Sequence, residues 1–188
     1  MTRCQSDRRI LPELDLLRQI LSYDPATGYI TYLDRPNDMF SSDRAANSWR
    51  TQYLGERAGS NITRDGRTYC QIELFNVKYN AHRLAWKIYY GEDPPDIIDH
   101  IDGDGSNNKI ENLRAATIFQ NGWNAKKSSR NKSGYKGVSF NTQRNKWRAA
   151  IHVNKKTILI GYYSTPQEAS EAYQKASAAY HGEFYNPT

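Results

Sequence analysis

Asp99 offers a hard oxygen ligand for a cation, His100 beside it a base that titrates near neutrality, and Asn121, returned by a following helix, a second oxygen ligand. Hydrolysis of a phosphodiester needs a water nucleophile, a base to deprotonate it, and a cation that stabilises charge on the phosphate and the departing oxygen. Three residues within one short segment cover those needs. Adjacent strand residues point to opposite faces, so Asp99 and His100 act together only if the chain bends at His100. Gly103 and Gly105 allow that bend. Around the pair, Glu92, Asp93, Asp96, Asp99, Asp102 and Asp104 form an acidic run without Lys or Arg, suited to a cation. The spacing from Asp99 lacks the alternation and terminal Glu of a calcium-binding EF-hand loop, which sets that reading aside.

The elements that must position these residues are legible from patterning. Leu11, Leu14, Leu16, Leu17, Ile20 and Leu21 form a helical stripe, followed by a turn at residues 23–28 and a strand at Tyr29 to Leu33. Pro36 to Gln52 is polar and patternless and reads as a loop. An Asp-Gly turn at Asp65-Gly66 between two strand-like runs predicts a hairpin, and Ala81 to Tyr90 a helix stopped by Gly91. Asp93-Pro94-Pro95 forces an extended chain into the strand Ile97 to Ile101. Asp102 to Asn108 is turn chemistry, in which Asn107 and Asn108 read as loop-forming. Asn112 to Ala116 reads as a second strand, and Thr117 to Gln120 as a capping box that opens the helix bearing Asn121. His82, on a helix with Leu84 and Trp86, reads as structural or as a contact to a nucleic-acid backbone.

A second charge feature lies downstream. From Lys126 to Thr165 the chain has Lys126, Lys127, Arg130, Lys132, Lys136, Arg144, Lys146, Arg148, Lys155 and Lys156, and no Asp or Glu. With a formal charge of +6 and a pI near 9.2, this points to a polyanionic partner. Three strand-like runs follow the basic, Ser- and Gly-containing segment 127–134. In the middle one Trp147, Ala149, Ile151 and Val153 share one face, and Lys146, Arg148, Ala150 and His152 the other. Thr165-Pro166-Gln167-Glu168 caps a helix whose stripe is Ala169, Ala172, Tyr173, Ala176, Ala179 and Tyr180. The expectation is a three-stranded antiparallel sheet with a helix behind it and a basic face free, a shape that suits the major groove.

Two resemblances sharpen this reading. His82-Arg83-Leu84-Ala85-Trp86, Gly91, Pro94-Pro95, Asp99-His100-Ile101-Asp102-Gly103-Asp104, Asn107-Asn108, Asn112-Leu113-Arg114, Thr117, Gln120-Asn121 and Asn124 resemble the HNH endonucleases of phages and mobile introns, over residues ~15–126. That likeness implies a ββα-metal fold gripping one divalent ion. It makes Asp99 and Asn121 metal ligands, His100 the general base, Asn112 the residue that pins the hairpin loop and orients the base, and it sets Arg114 near the phosphate. Asn121 stands where many members carry His, and oxygen ligation favours Mg²⁺ or Mn²⁺ over Zn²⁺. Tyr135-Lys136-Gly137-Val138, Lys146-Trp147, Ile160-Gly161-Tyr162-Tyr163, Thr165-Pro166-Gln167-Glu168-Ala169 and Ala172-Tyr173 resemble the APETALA-type (ethylene-response-factor) DNA-binding domain, over residues ~133–185. Carried across, the DNA contacts come from Lys136, Ser139, Asn141, Lys146, Arg148, His152 and Thr157, on a face with fewer arginines than the plant domains have.

The expected fold class is therefore α+β. Residues 1–126 form the nuclease domain, 127–134 a linker, and 135–188 the DNA-binding domain. The expected function is a phage-type or homing-type endonuclease that needs one divalent metal and no small-molecule cofactor, acts on double-stranded DNA, and nicks one strand with one site per chain. Lone Cys4 and Cys70 fit a reduced interior, and no apolar run is long enough to enter a membrane. This places the protein in the cytoplasm of a bacterial or phage-infected cell. The principal alternative is a non-catalytic DNA-binding regulator on the same scaffold, from which Asp99, His100 or Asn121 would be missing. An RNA-binding protein would project aromatic residues from the basic sheet face, whereas Trp147 falls on the apolar side.

Overall fold

The computed structural model describes residues 9–64, 66–125, 127, 131–153 and 155–186. It is a mixed α/β structure with small antiparallel sheets, in two compact units, Met1–Ala115 and Ala116–Thr188.

The first unit opens with helix α1, Leu14–Ile20, which buries Leu17 and Ile20. The leucine stripe does not continue as helix, because Leu21 is already extended. Strand β1, Leu21–Asp24, turns through Pro25 to Gly28 and pairs with β2, Tyr29–Tyr32. Asp24 holds this turn by accepting from Ala26 N and from the Thr27 hydroxyl. The segment expected to be loop contains helix α2, Asp43–Tyr53, whose N-cap Ser42 accepts from Ala45 N. It buries Ala46 and packs otherwise through aromatic rings, with no aliphatic stripe. Trp49 meets Tyr32 and Phe40, the Arg35 guanidinium lies 4.3 Å from the Trp49 ring centre, and Arg50 pairs with Asp34 at 2.6 Å.

A three-stranded sheet follows, in the order β3 (Ser60–Arg64), β4 (Arg67–Leu74), β5 (Val77–Asn80). The hairpin expected between β3 and β4 is present, with its turn residue Asp65 outside the described residues. Helix α3, Ala81–Tyr90, ends at Gly91 with φ +76, as its sequence predicted. Cys70, Ile72, Leu74, Leu84 and Ala85 join the α1 and β1 side chains in one apolar core. Lys87 pairs with Asp93 at 2.8 Å and Arg83 donates to the Pro95 carbonyl, so α3 directs the proline segment into β6, Ile98–His100. Strand β7, Leu113–Ala115, returns antiparallel to β6 with Asp99 opposite Arg114 and His100 opposite Leu113.

The second unit begins with helix α4, Ile118–Asn124, opened by the predicted capping box between Thr117 and Gln120. Its sheet has the order β10 (Lys156–Tyr163), β9 (Lys146–Val153), β8 (Val138–Asn141), all antiparallel, with a bulge between Leu159 and Gly161. Helix α5, Pro166–His181, starts at Thr165, whose hydroxyl accepts from Glu168 N. Ala169 and Tyr173 of α5 pack with Val138, Ala149 and Ile151. The ring of Tyr173 lies so close to Gly137 that a Cβ there would come within 2.1 Å of it.

One expectation for this unit, the face of α5, is corrected. The buried face of α5 is Ala169, Ser170, Tyr173, Ser177 and His181, while Tyr180 and Ala179 face solvent. Polar residues are accommodated inside because the Ser177 hydroxyl bonds His181 Nδ1 at 2.9 Å. The division of the chain also falls before α4, ahead of the basic run 127–134, of which 128–130 lie outside the described residues. Helix α4 belongs with the C-terminal sheet because Trp123 stacks on His181, with centroids 4.4 Å apart and planes 9° from parallel. Asn186 Nδ2 also donates to the Asn124 carbonyl at 2.7 Å.

Candidate functional site

The first unit builds a buried polar centre at the end of β6. Asp99 and His100 are 3% and 7% exposed. Strand β6 runs through His100 and the chain turns directly after it, where Gly103 N bonds the His100 carbonyl. Asp99 Oδ2 accepts from Arg114 Nε at 2.9 Å and lies 2.8 Å from Nη2. Arg114, expected near a phosphate, therefore has its guanidinium turned onto the Asp99 carboxylate.

The loop between β6 and β7 is fastened by Asn112. Its Oδ1 accepts from Asp102 N, and its Nδ2 donates to Asp102 Oδ1 and to the Asn107 carbonyl. Burial opposes ionisation of Asp102, but hydrogen bonds from Asp104 N and the Asn107 and Asn112 amides outweigh it and hold the carboxyl below its usual range. Asn112 thus acts on the loop. The side chain that touches the His100 ring is Asn108, whose Oδ1 lies 3.2 Å from Nε2. With the Asn108 amide oxygen as the acceptor, Nε2 is the donor of this contact.

Asn108, read from sequence as a turn residue, is 2% exposed and is gripped by distant parts of the chain. Tyr23 donates its hydroxyl to the Asn108 carbonyl at 2.7 Å. Gly28 of the β1–β2 turn comes so near that a Cβ there would sit 2.4 Å from Lys109 N. Gly105 approaches β4 equally closely, and its Cβ would stand 2.4 Å from the Thr68 carbonyl and 2.5 Å from the Tyr69 ring. The β1–β2 turn and strand β4 therefore both bear on the loop that carries Asn108.

A second imidazole completes the centre. His82, from the first turn of α3, lies edge-on to His100 with ring centres 5.1 Å apart, and Tyr69 is 6.4 Å from each ring. His82 is 7% exposed, and its Nδ1 has no hydrogen-bond partner among the described residues. Burial, then the positive charge that His100 and Arg83 would present, keeps His82 neutral well below the ordinary histidine range. Burial likewise lowers the pKa of His100, against the opposing pull of the Asn108 bond and of Asp102, Asp99 and Asp104. A lowered pKa keeps the imidazole free of its proton at neutral pH, the state a general base needs.

The acidic run is used residue by residue. Asp93 pairs with Lys87, Asp99 with Arg114, Asp102 binds Asn107 and Asn112, and Asp104 accepts from Ser106. Among the described residues no three His, Cys, Asp or Glu side chains gather as a metal cluster. Mg²⁺ needs no such cluster, since one or two protein oxygens plus water and phosphate oxygens complete its shell. Asp99 offers one such oxygen in the first unit. Asn121 itself sits in α4, in the second unit.

In the second unit the expected DNA contacts divide. Ser139, Arg148 and Tyr162 lie in one register across the sheet, on the face away from Ala149 and Ile151. Arg144 covers the Tyr162 ring at 4.7 Å, and Asn141, opposite Lys146, accepts from Arg144 N. His152 Nδ1 and the Thr157 hydroxyl are 3.2 Å apart on the neighbouring strands. Lys136 is not brought to this face. It is half-buried, its ammonium donates to the Trp123 carbonyl at 2.7 Å, and burial lowers its pKa.

Residues 79–122, from β5 into α4, match the family model of the HNH endonucleases. Protein 3.8 of Escherichia phage T7 is 39% identical over 71 residues, which are 37% of this chain and 59% of that protein. An uncharacterized HNH endonuclease of Acanthamoeba polyphaga mimivirus is 36% identical over 112 residues, 58% of this chain and 57% of that one. The chain thus spans less than two thirds of the length of these relatives. No solved structure matches. These likenesses support an HNH endonuclease domain in this chain and suggest a nuclease that acts on DNA. Among the described residues no helix is long and apolar enough to cross a membrane.

Proposed function

We propose that this protein is a metal-dependent DNA endonuclease that hydrolyses one strand at a time and is held on duplex DNA by its C-terminal sheet. The observation that carries the proposal is the His100 imidazole, which is buried, oriented through Nε2 by Asn108, and set beside Asp99 within the segment that matches the HNH family. The His100 imidazole takes a proton from water as the water oxygen attacks phosphorus. The bond from phosphorus to the 3′-oxygen breaks and that oxygen takes a proton from solvent, leaving a 3′-hydroxyl and a 5′-phosphate. Asp99 would hold one Mg²⁺ or Mn²⁺, to which the family resemblance adds Asn121 as a ligand, and the ion's chemistry there would be to stabilise charge on the phosphate and on the leaving oxygen. Asn112 and Asn108 fix the loop and ring so that the base needs no rearrangement at the moment of reaction. Arg114 holds the Asp99 carboxylate in place.

For the second unit, Ser139, Asn141, Lys146, Arg148, His152 and Thr157 make the DNA-facing surface of an APETALA-like sheet, and Lys136 supports it from within. The test is conversion of supercoiled plasmid with Mg²⁺, Mn²⁺ or EDTA, wild type against His100→Ala, with DNA binding measured for both. Metal-dependent open circles that His100→Ala does not produce support the proposal. Binding by both proteins without cutting by either refutes it.

A further inference from the structure

The free face of the C-terminal sheet is polar towards both ends of its strands and apolar between them. At one end His152 of β9 meets Thr157 of β10. At the other, Arg148 lies between Ser139 and Tyr162, and Arg144 covers the Tyr162 ring. Between these rows Ala150 of β9 is paired with Leu159 of β10. Ala149 and Ile151, the neighbours of Ala150 along β9, are buried in the core, so Ala150 and its partner Leu159 point the other way. The bulge fixes this arrangement. Ile160 is the extra residue and packs against the core, so Leu159 before it and Tyr162 beyond Gly161 both come out on the free face. Leu159 is 48% exposed.

A single exposed leucine on a protein surface needs no explanation. Leu159 differs in its surroundings, because the side chains about it on this face are hydroxyls, an imidazole and cations. The cations match the charge of a phosphate backbone. On the base edges of the major groove every pair presents donors and acceptors, but only thymine presents an apolar group, its C5-methyl. We infer that Leu159, with Ala150 beside it, selects thymine by packing on that methyl group when the sheet lies in the major groove. The inference rests on the reading of this sheet as the DNA-binding face. Contacts to phosphate hold the sheet on any duplex, whereas a contact to a base edge discriminates. Leu159 is thus a specificity-determining residue, and Arg148 supplies affinity without choice of sequence.

The experiment uses the full-length protein in EDTA. Wild type first selects its preferred duplex from a random pool, and that duplex is then made with deoxyuridine in place of each thymidine in turn, a change that removes only the methyl. Affinities are measured for wild type, Leu159→Ser and Arg148→Ala, with urea unfolding to compare the folding of the three. Burial of one methyl group corresponds to a change of about 4-fold. The expected result is at least one thymine whose replacement weakens wild-type binding by about that factor, while Leu159→Ser binds the thymine and uracil duplexes alike. Arg148→Ala, weaker on both duplexes, keeps the wild-type ratio. The uracil comparison on wild type needs no variant. Wild type that binds every uracil duplex as tightly as the thymine duplex overturns the inference and leaves the DNA-binding reading intact. So does a methyl preference that survives in Leu159→Ser. Wild type that binds no duplex DNA refutes the reading of the sheet, and the inference falls with it.

Discussion

Gly105→Ala is the smallest change that tests how the β6–β7 loop is held. Gly105 has no positive φ, so only space forbids a side chain there. The added methyl would stand 2.4 Å from the Thr68 carbonyl and 2.5 Å from the Tyr69 ring, where ordinary contact begins at 3.4 Å. Thr68 is paired within the β3–β4 hairpin and its backbone cannot yield, so the loop must retreat by about 1 Å. That loop carries Asn108, and the Asn108–His100 contact at 3.2 Å has no slack to absorb such a shift. A displacement of about 1 Å at a reacting group costs on the order of 10²-fold in rate, and forcing a methyl into a filled site costs about 1–3 kcal/mol of stability. The assay is the nicking rate at saturating DNA and metal, with urea unfolding alongside and DNA binding in EDTA as the control. The account predicts a rate about two orders of magnitude lower, a lower urea midpoint and unchanged DNA affinity, since the sheet proposed to bind DNA lies in the other unit. A rate within three-fold of wild type with unchanged stability would refute the idea that loop placement sets the base.

Three further expectations follow from the same contacts. Because burial lowers the pKa of both His100 and His82 from 6.5, their contribution to stability is complete above that value and is lost as pH falls below it towards the folded-state values, so the urea midpoint should drop on acidification from pH 6.5 in wild type and drop less in His82→Phe if that variant folds. The nicking rate should rise with an apparent pKa below 6.5 and be flat through neutrality, and a profile centred at or above 7 would contradict the burial of the base. Arg114→Leu removes charge-assisted hydrogen bonds to a buried carboxylate and should cost about 1.5–3 kcal/mol in urea unfolding, whereas a loss under about 0.5 kcal/mol would place Arg114 elsewhere. Arg148→Ala should weaken DNA binding on all sequences and reduce the slope of log K against log salt by roughly one unit if it meets a phosphate, and an unchanged slope would remove it from the interface.

How much of this was readable from the residues differs by kind of signal. Elements with local signals came through: the α3 stop at Gly91, the α4 capping box, and the faces of β9, where Ala149 and Ile151 point into the core and Trp147 and Val153 pack beside them. Asp99 and His100 stood out because a bend after an apolar strand is written locally in glycines and aspartates. Helix α2 did not, because its packing face is Trp49 against Tyr32, Phe40 and Arg35, a cluster without aliphatic periodicity. Leu21 fitted the α1 stripe, yet its pairing with Tyr32 across the β1–β2 hairpin won over helical propensity. Asn108 looked like any turn asparagine, since what buries it are Tyr23, 85 residues away, and Gly28. The rotated face of α5 and the inward Lys136 share one cause, the docking of α4 on the C-terminal unit. The signal for that was Trp123 and His181 themselves, which no single-element pattern connects.

The most direct measurement of the central claim is the single-turnover rate of strand scission for wild type and His100→Ala, with both proteins shown by EDTA binding to be fully on the DNA before metal is added. Loss of a general base from a preorganised site predicts a rate lower by about 10²- to 10⁴-fold with unchanged affinity. Equal rates in the two proteins would show that His100 is not the base and that the cut, if made, is made elsewhere.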